Sequence, residues 1–301
     1  MAQRVFAQVA LVSSEPMTIA RSQPLVTVGM PVRNGGDRFG AAIESILSQS
    51  HANLQIVISD NGSDDQTASI AQKYCAQDSR ITYIRQSPPI KAFENFRFVL
   101  DKAEGEFFLW AAHDDLHSND YVETLVNGLH ADKSAVLAFG DLFLTASVSD
   151  QGMLKPYVFS IPDISVASRM RKAAFTQCFH IYGVWRTQEL KNIPFPCNAW
   201  WPDLPIMVAA SVVGQFKYVA GPKFYYCEVP KTNLERVQYQ DYKAKFNLIS
   251  GVVGLIRATY LATAGTGGFF TGLFGAWLVL EKQLRGLPGF LWRRIVRAST
   301  G

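Results

Sequence analysis

Out to about residue 144, short unbroken apolar runs alternate with stretches whose apolar residues recur every three or four positions. The runs Leu25–Met30, Leu54–Ser59, Ile81–Arg85, Phe107–Ala112 and Val136–Leu144 are rich in β-branched and aromatic residues. Such runs predict strands buried within a sheet. Between them, Phe39–Gln49, Gln66–Cys75, Lys91–Lys102 and Tyr121–His130 predict amphipathic helices; Phe93, Phe96, Val99 and Leu100 share one face of the third. Strands alternating with short helices predict βαβ units, an α/β fold and a mostly parallel sheet.

The character changes after residue 145. A polar, proline-containing linker leads to a predicted helix, Val166–Phe175, and a strand, Cys178–Arg186. The aromatic run Ile193–Pro205 precedes a helix, Leu204–Val213, and two strands follow, Gln215–Ala220 and Lys223–Val229, joined by Gly221-Pro222. Asp241–Ile256 predicts a further helix. Ala258–Leu280 carries no charge, yet Gly265, Gly267, Gly268, Gly272 and Gly275 interrupt it, which predicts two apolar helices broken near Gly265–Gly268. Lys282, Arg285, Arg293, Arg294 and Arg297 then lie among Leu287, Phe290, Leu291 and Trp292. A basic, aromatic-bearing amphipathic tail suits an anionic membrane surface; a helical cap, an oligomer contact and a true span are the other fates of this segment. The chain thus divides into a loosely ordered leader, 1–24, two α/β halves, 25–145 and 146–238, and a C-terminal helical segment, 239–301.

Composition narrows the function classes. With 301 residues, 48% apolar and 18% charged, the chain can bury a full core. A net charge of +4 argues against whole-surface nucleic-acid binding. Cys75, Cys178, Cys197 and Cys227 form no CxxC pair or zinc spacing and read as thiols in a reducing compartment, with no secretory signal ahead of them.

Candidate chemistry clusters where predicted strands end. Phe107–Ala112 stops at His113-Asp114-Asp115, and adjacent carboxylates at a strand's carboxyl edge repel unless a cation or ligand offsets the cost. Hard oxygen ligands suit Mg²⁺ or Mn²⁺ carrying a diphosphate, whereas the plainer reading is an acidic loop before a helix that Ser118 or Asn119 caps. The turn PVRNGGD, Pro31–Asp37, is either a tight turn or a set of backbone N–H groups for a phosphate; it is neither GxGxxG nor a P-loop. Asp60 ends the second strand, where a carboxylate accepts from a ligand's N–H or hydroxyl, while Ser63 or Asp64 caps the next helix. Asp203, after Trp200-Trp201-Pro202, reads as a helix cap or as a general base whose pKa its apolar neighbours raise.

Taken in order, VTVGMPVRNG, AIESILSQSHANLQIVISDNGSDDQT and FLWAAHDD resemble the opening blocks of family 2 glycosyltransferases. The resemblance covers about 25 to 229 and implies a GT-A, Rossmann-like fold whose DXD metal motif takes the His-Asp-Asp form. It implies that Pro31, Val32, Arg33, Asn34, Asp60, Asn61, His113 and Asp114 bind a nucleotide sugar. Arg33 stands where many relatives have an aromatic residue. Asp115 would hold the Mn²⁺ or Mg²⁺, and Asp203 would be the base of an inverting transfer. The implied partners are a nucleoside-diphosphate sugar (UDP- or dTDP-linked) and a glycan or lipid-linked acceptor, with a cytoplasmic, peripheral membrane location for the protein. A nucleotide-sugar pyrophosphorylase and an inactive scaffold are the competing readings.

Overall fold

The structure, a computed structural model, describes residues 23–145, 153–155, 165–176, 178–195, 202–227 and 248–285. Its first half is a run of βα units: β1 (Val26–Val32), α1 (Arg38–Leu47), β2 (Leu54–Asp60), α2 (Thr67–Gln77), β3 (Ile81–Arg85), α3 (Ala92–Asp101) and β4 (Phe107–Trp110). After the two-residue β5 (Leu116–His117), α4 (Tyr121–Ala131), β6 (Ala135–Thr145) and β7 (Met153–Lys155) complete this part. The second half adds α5 (Val166–Phe175), β8 (Val184–Arg186), α6 (Thr187–Lys191), α7 (Asp203–Val213) and β9 (Gln215–Cys227). Two C-terminal helices follow, α8 (Leu248–Gly267) and α9 (Phe269–Arg285).

One sheet runs in the order β3-β2-β1-β4-β8-β6-β9-β5, with β7 paired to β6. Strand alternation divides its side chains between two cores. From β4, Phe107 and Leu109 face α1 and α4, while Phe108 and Trp110 face α3, α5 and α7. Helix periodicity supplies the matching faces: α1 buries Phe39, Ala42, Ile43 and Ile46, and α4 buries Tyr121, Val122, Leu125, Val126 and Leu129. From β1 the chain builds outward to β2 and β3, then α3 carries it back to place β4 on the other side of β1. That reversal opens a crevice between the carboxyl ends of β1 and β4, where doubly wound sheets bind ligands.

The structure corrects several expectations. The sheet is mixed, not mostly parallel: β1–β2, β2–β3, β1–β4 and β6–β9 pair parallel, whereas β8 lies antiparallel between β4 and β6, and β5 pairs antiparallel with β9. The expected strand Cys178–Arg186 is a 3-10 turn, Cys178–Tyr182, followed by the three-residue β8. Nor do two strands flank Gly221-Pro222; β9 is continuous, with Gly221 at φ +112 absorbing the irregularity opposite Phe139–Asp141. At α2 the capping bonds come from Asp65, which accepts from the Thr67 N–H (2.9 Å) and hydroxyl, not from Ser63 or Asp64. Asp120 precedes α4 where Ser118 or Asn119 was expected, and no side-chain cap bond is made there.

The predicted break in the C-terminal apolar segment falls at Gly268, φ +85. Glycines also let α8 and α9 meet closely: a Cβ at Gly272 would lie 2.6 Å from the Ala264 Cβ, and one at Gly275 2.6 Å from the Thr263 hydroxyl oxygen. Within α8, Thr259, Thr263 and Thr266 donate back to carbonyls one turn earlier, which satisfies hydroxyls on an apolar helix. Among the described residues no helix is long and apolar enough to cross a membrane. Part of Asp241–Ile256 and the basic tail beyond Arg285 lie outside the described residues.

Candidate functional site

A cleft of about 480 Å³ opens at the β1/β4 switch point. Pro31, Val32 and Arg33 line it from the end of β1, Asn61 from the end of β2, and His113, Asp114 and Asp115 from the loop after β4. Ile90, Lys91 and Asn95 close one side and Tyr182 and Tyr226 another. Three segments far apart in sequence converge because their strands are adjacent and parallel and end together.

The turn after β1 spends its amides on protein partners. The Asn34 N–H donates to the Ser63 hydroxyl (2.9 Å), Gly35 N–H to the Thr67 hydroxyl (2.8 Å) and Gly36 N–H to the Asp65 carboxylate (2.9 Å). The tight-turn alternative therefore describes it, and Asn34, at φ +52, is exposed and outside the cleft lining. Its side-chain oxygen accepts from the Asp64 N–H (3.1 Å), so Asn34 ties the two loops together.

Asp60 is fully buried and does not reach the cleft wall. One of its oxygens accepts from the Ser63 N–H (2.8 Å); the other accepts from the Tyr83 hydroxyl (2.7 Å) and the Arg85 guanidinium (2.9 Å). Asn61 works on the backbone opposite. Its amide donates to the Ile90 carbonyl and accepts from the Ile90 N–H, both at 2.8 Å, and so holds the Ile90–Lys91 segment over the cleft. Replacing Asn61 by Ala strands both Ile90 groups; a loss of about 1–3 kcal/mol is expected in chemical denaturation, with weaker ligand binding in the cleft.

The two carboxylates at the cleft floor differ. Asp114 is about one-third exposed, 4.0 Å from Arg38 and 4.0 Å from the His113 ring. Asp115 is buried; one oxygen accepts from the Cys227 N–H (2.9 Å) and the other has no partner among the described residues. Burial, and then the neighbouring Asp114 charge, push its carboxyl up to about 8. A buried orphan oxygen beside a second carboxylate fits a hard divalent cation, which would offset the cost of ionising Asp115. Among the described residues no three His, Cys, Asp or Glu side chains converge, so the remaining ligands would be water and substrate oxygens, as Mg²⁺ sites commonly have.

Asp203 is the first residue of α7, after Pro202. Part of its side chain reaches solvent, yet burial pushes the carboxyl up to about 6. Tyr182 relates it to the cleft floor: burial, and then the charges of Asp203, Asp115 and Asp114, push its phenol well above the ordinary value. The ring is set by contact with Phe224 (5.4 Å) and by the Tyr121 hydroxyl donating to the Tyr182 carbonyl (3.2 Å). Lys91, Asn95, Tyr182 and Tyr226 were not singled out as site residues from the sequence. Tyr182 ends the 3-10 turn ahead of the antiparallel β8, and Tyr226 lies in β9 opposite Leu144 of the parallel β6. Asp141 and His180 lie apart from the lining: Asp141 accepts from the Tyr218 hydroxyl and the Gly221 N–H, and His180 packs edge-on against Phe139 (4.2 Å). Cys75, Cys178 and Cys227 are free thiols.

Comparison with known proteins accords with this geometry. Residues 27–173 match the model of the glycosyl transferase family 2 domain. An uncharacterized glycosyltransferase of Rickettsia typhi, RT0329, is 32% identical over 107 residues, 36% of this chain and 32% of the relative. Glycosyltransferase GlyG of Streptococcus pneumoniae is 27% identical over 119 residues, 40% of this chain and 39% of the relative. The chain therefore spans about a third of the length of the curated relatives it matches. Among solved structures, S. aureus TarS 1-349 in complex with UDP-GlcNAc superposes with TM-score 0.59 at 14% identity, over 84% of this chain and 71% of that one. The mannosyltransferase PcManGT of Pyrobaculum calidifontis, in complex with GDP-Man and Mn²⁺, gives 0.55 at 15%, over 95% and 84%. The shared fold is GT-A-like, with a mixed, curled sheet.

Proposed function

We propose, from the match of residues 27–173 to the glycosyl transferase family 2 model, that this protein is an inverting glycosyltransferase. It would move a sugar from a nucleoside diphosphate, UDP or dTDP, to a hydroxyl of a glycan or lipid-linked acceptor in cell-surface polysaccharide or glycolipid assembly. The observation that carries the reading is the buried, unpaired Asp115 oxygen beside Asp114 in a cleft at the sheet's switch point.

In this reading 25–145 is the donor half and 146–238 the acceptor half. Pro31, Val32 and Arg33 bound the nucleotide, with the Arg33 plane free to stack on a base or meet a phosphate. Asp60, expected to meet the base directly, is buried behind the cleft and instead holds the Ser63 N–H, Tyr83 and Arg85, while Asn34 and Asn61 hold the loops around it. Asp114, beside His113, lies by the ribose, and Lys91 offers positive charge to the diphosphate. Asp115, with Asp114, would hold Mn²⁺ or Mg²⁺. That cation, when bound, stabilises the charge on the leaving nucleoside diphosphate. Asp203 takes the proton of the acceptor hydroxyl as it attacks the anomeric carbon from the face opposite the leaving group. Tyr182, between Asp203 and the cleft floor, excludes water and orients both partners. The amides of the glycine turn are already bonded, which leaves no cradle for the triphosphate that a pyrophosphorylase would need. The protein would sit peripherally on the cytoplasmic face of the membrane through 239–301.

Thermal unfolding with a panel of nucleoside diphosphates and their sugars, with and without Mn²⁺, tests the assignment. Ligands that bind the native state raise its melting temperature by mass action. A cation-dependent rise with one nucleoside diphosphate is expected. A rise with nucleoside triphosphates alone would favour the pyrophosphorylase, and none at all the scaffold.

A further inference from the structure

We propose that the outer face of α9, flanked by α5 and α8, docks this protein on an anionic lipid bilayer. The proposal deepens the membrane position given above and rests on that reading, although its test does not need the transfer reaction.

Among the described residues, large apolar side chains that are well exposed occur only on α5, α7, α8 and α9. Phe269, Phe270, Leu273, Trp277 and Leu280 recur along one face of α9, with Phe270 82% exposed. The opposite face, Gly272, Gly275, Leu278 and Val279, is buried. A helix apolar on all sides is ordinarily enclosed, so the uncovered face calls for an apolar medium.

Charge selects the occupant. By sequence, α5, α8, α9 and residues 286–301 carry nine Lys and Arg against one acid, Glu281, so the rest of the chain has a net charge of −4. Glu281 is already paired with Arg171 (2.8 Å) and Arg285 (2.6 Å). Arg171 stacks on Trp277 (5.9 Å) and Phe175 (5.2 Å), and Arg285 on Phe175 (5.4 Å), which sets cations along the edge of the apolar stripe. A second copy of this face would bring like charges together, whereas anionic headgroups complement it. Apolar rings bordered by arginine suit the depth of a bilayer interface. The carboxyl end of α9 lies on the Asp203 side: the Lys282 amine donates to the Thr176 carbonyl (3.3 Å), and Cys178 nearby feels both Lys282 and Asp203.

The test is co-sedimentation of the full chain with phosphatidylcholine vesicles and with vesicles containing about one-third phosphatidylglycerol. Binding to the anionic vesicles alone is expected, weakening as salt rises. Phe269→Ser with Phe270→Ser should lower partitioning by roughly tenfold or more, as two rings leave the interface, while nucleotide-induced stabilisation stays unchanged. No binding to anionic vesicles, or binding indifferent to the double substitution, overturns the proposal. So does a dimer in analytical ultracentrifugation that the double substitution dissolves while vesicles are ignored. Vesicle binding without nucleotide stabilisation would sink the transferase reading and leave the docking face standing; the converse would do the reverse.

Discussion

Asp115→Asn is expected to abolish transfer and cation-dependent nucleotide binding while making the ligand-free protein more stable at neutral and alkaline pH. The carboxyl is pushed up to about 8 in the folded state, chiefly by burial and then by Asp114, whereas in the unfolded chain it titrates near its model value of 3.8. A raised carboxyl pKa means that the unfolded chain loses its proton first. Stability is therefore full below about pH 4, falls as pH rises toward 8, and is flat above that. The span corresponds to several kcal/mol, and an amide, which does not ionise, escapes it. The melting-temperature difference between variant and parent should thus widen from about pH 4 to about pH 8. With Mn²⁺ and the nucleoside diphosphate present the order should reverse, because only the carboxylate gains from the cation. Activity should fall by roughly a thousandfold or more, as expected when charge stabilisation at a leaving diphosphate is removed. Retained cation-linked stabilisation in the Asn variant would show that the metal is held elsewhere.

The same contrast explains what was legible in the sequence. Strands β1, β2 and β4 are buried on both faces, so their apolar runs are continuous and the polar residues that end them stand out: Arg33, Asp60 and the His113-Asp114-Asp115 set. Adjacent parallel strands bring those ends together, and a pattern that fixes strand ends largely fixes one wall of the cleft. The other wall was not legible. Tyr182 ends a 3-10 turn and Tyr226 sits late in a thirteen-residue strand, and both depend on which strands pair with β8 and β9, which periodicity does not encode. Capping was misjudged for a related reason. Ser63, Asp64 and Asp65 crowd before α2; the Ser63 hydroxyl accepts from the Asn34 N–H instead, and Asp65 is the residue that accepts from Thr67. In the C-terminal segment the glycine spacing did locate the helix break, since only a residue tolerating φ +85 permits that turn.

Asp203→Asn is expected to separate binding from chemistry. Asparagine keeps the shape at the start of α7 but accepts no proton, so kcat should fall about a hundred- to ten-thousandfold while nucleotide-induced stabilisation is kept. The parent's pH profile supplies the second readout. Burial sets the Asp203 carboxyl at about 6, and a base works only when deprotonated. In the parent, kcat/KM should rise through about pH 6 and then level, and in the variant the residual rate should lose that limb. A residue that merely starts the helix would leave the limb in place, because the profile reports the group that takes the proton and not the stability of α7. The stability effect runs in the same direction as for Asp115 but over a narrower range: the folded carboxyl holds its proton only to about 6, so the penalty accumulates between about pH 4 and pH 6 and is smaller. Below pH 6 the parent would then be slow and above it fast, and the Asp203 carboxyl adds its smaller stability loss to the larger one from Asp115. An unchanged rate for Asp203→Asn, or a limb that persists in it, would assign the proton to another group, and Tyr182, close enough to feel the same charges, would be the next to replace.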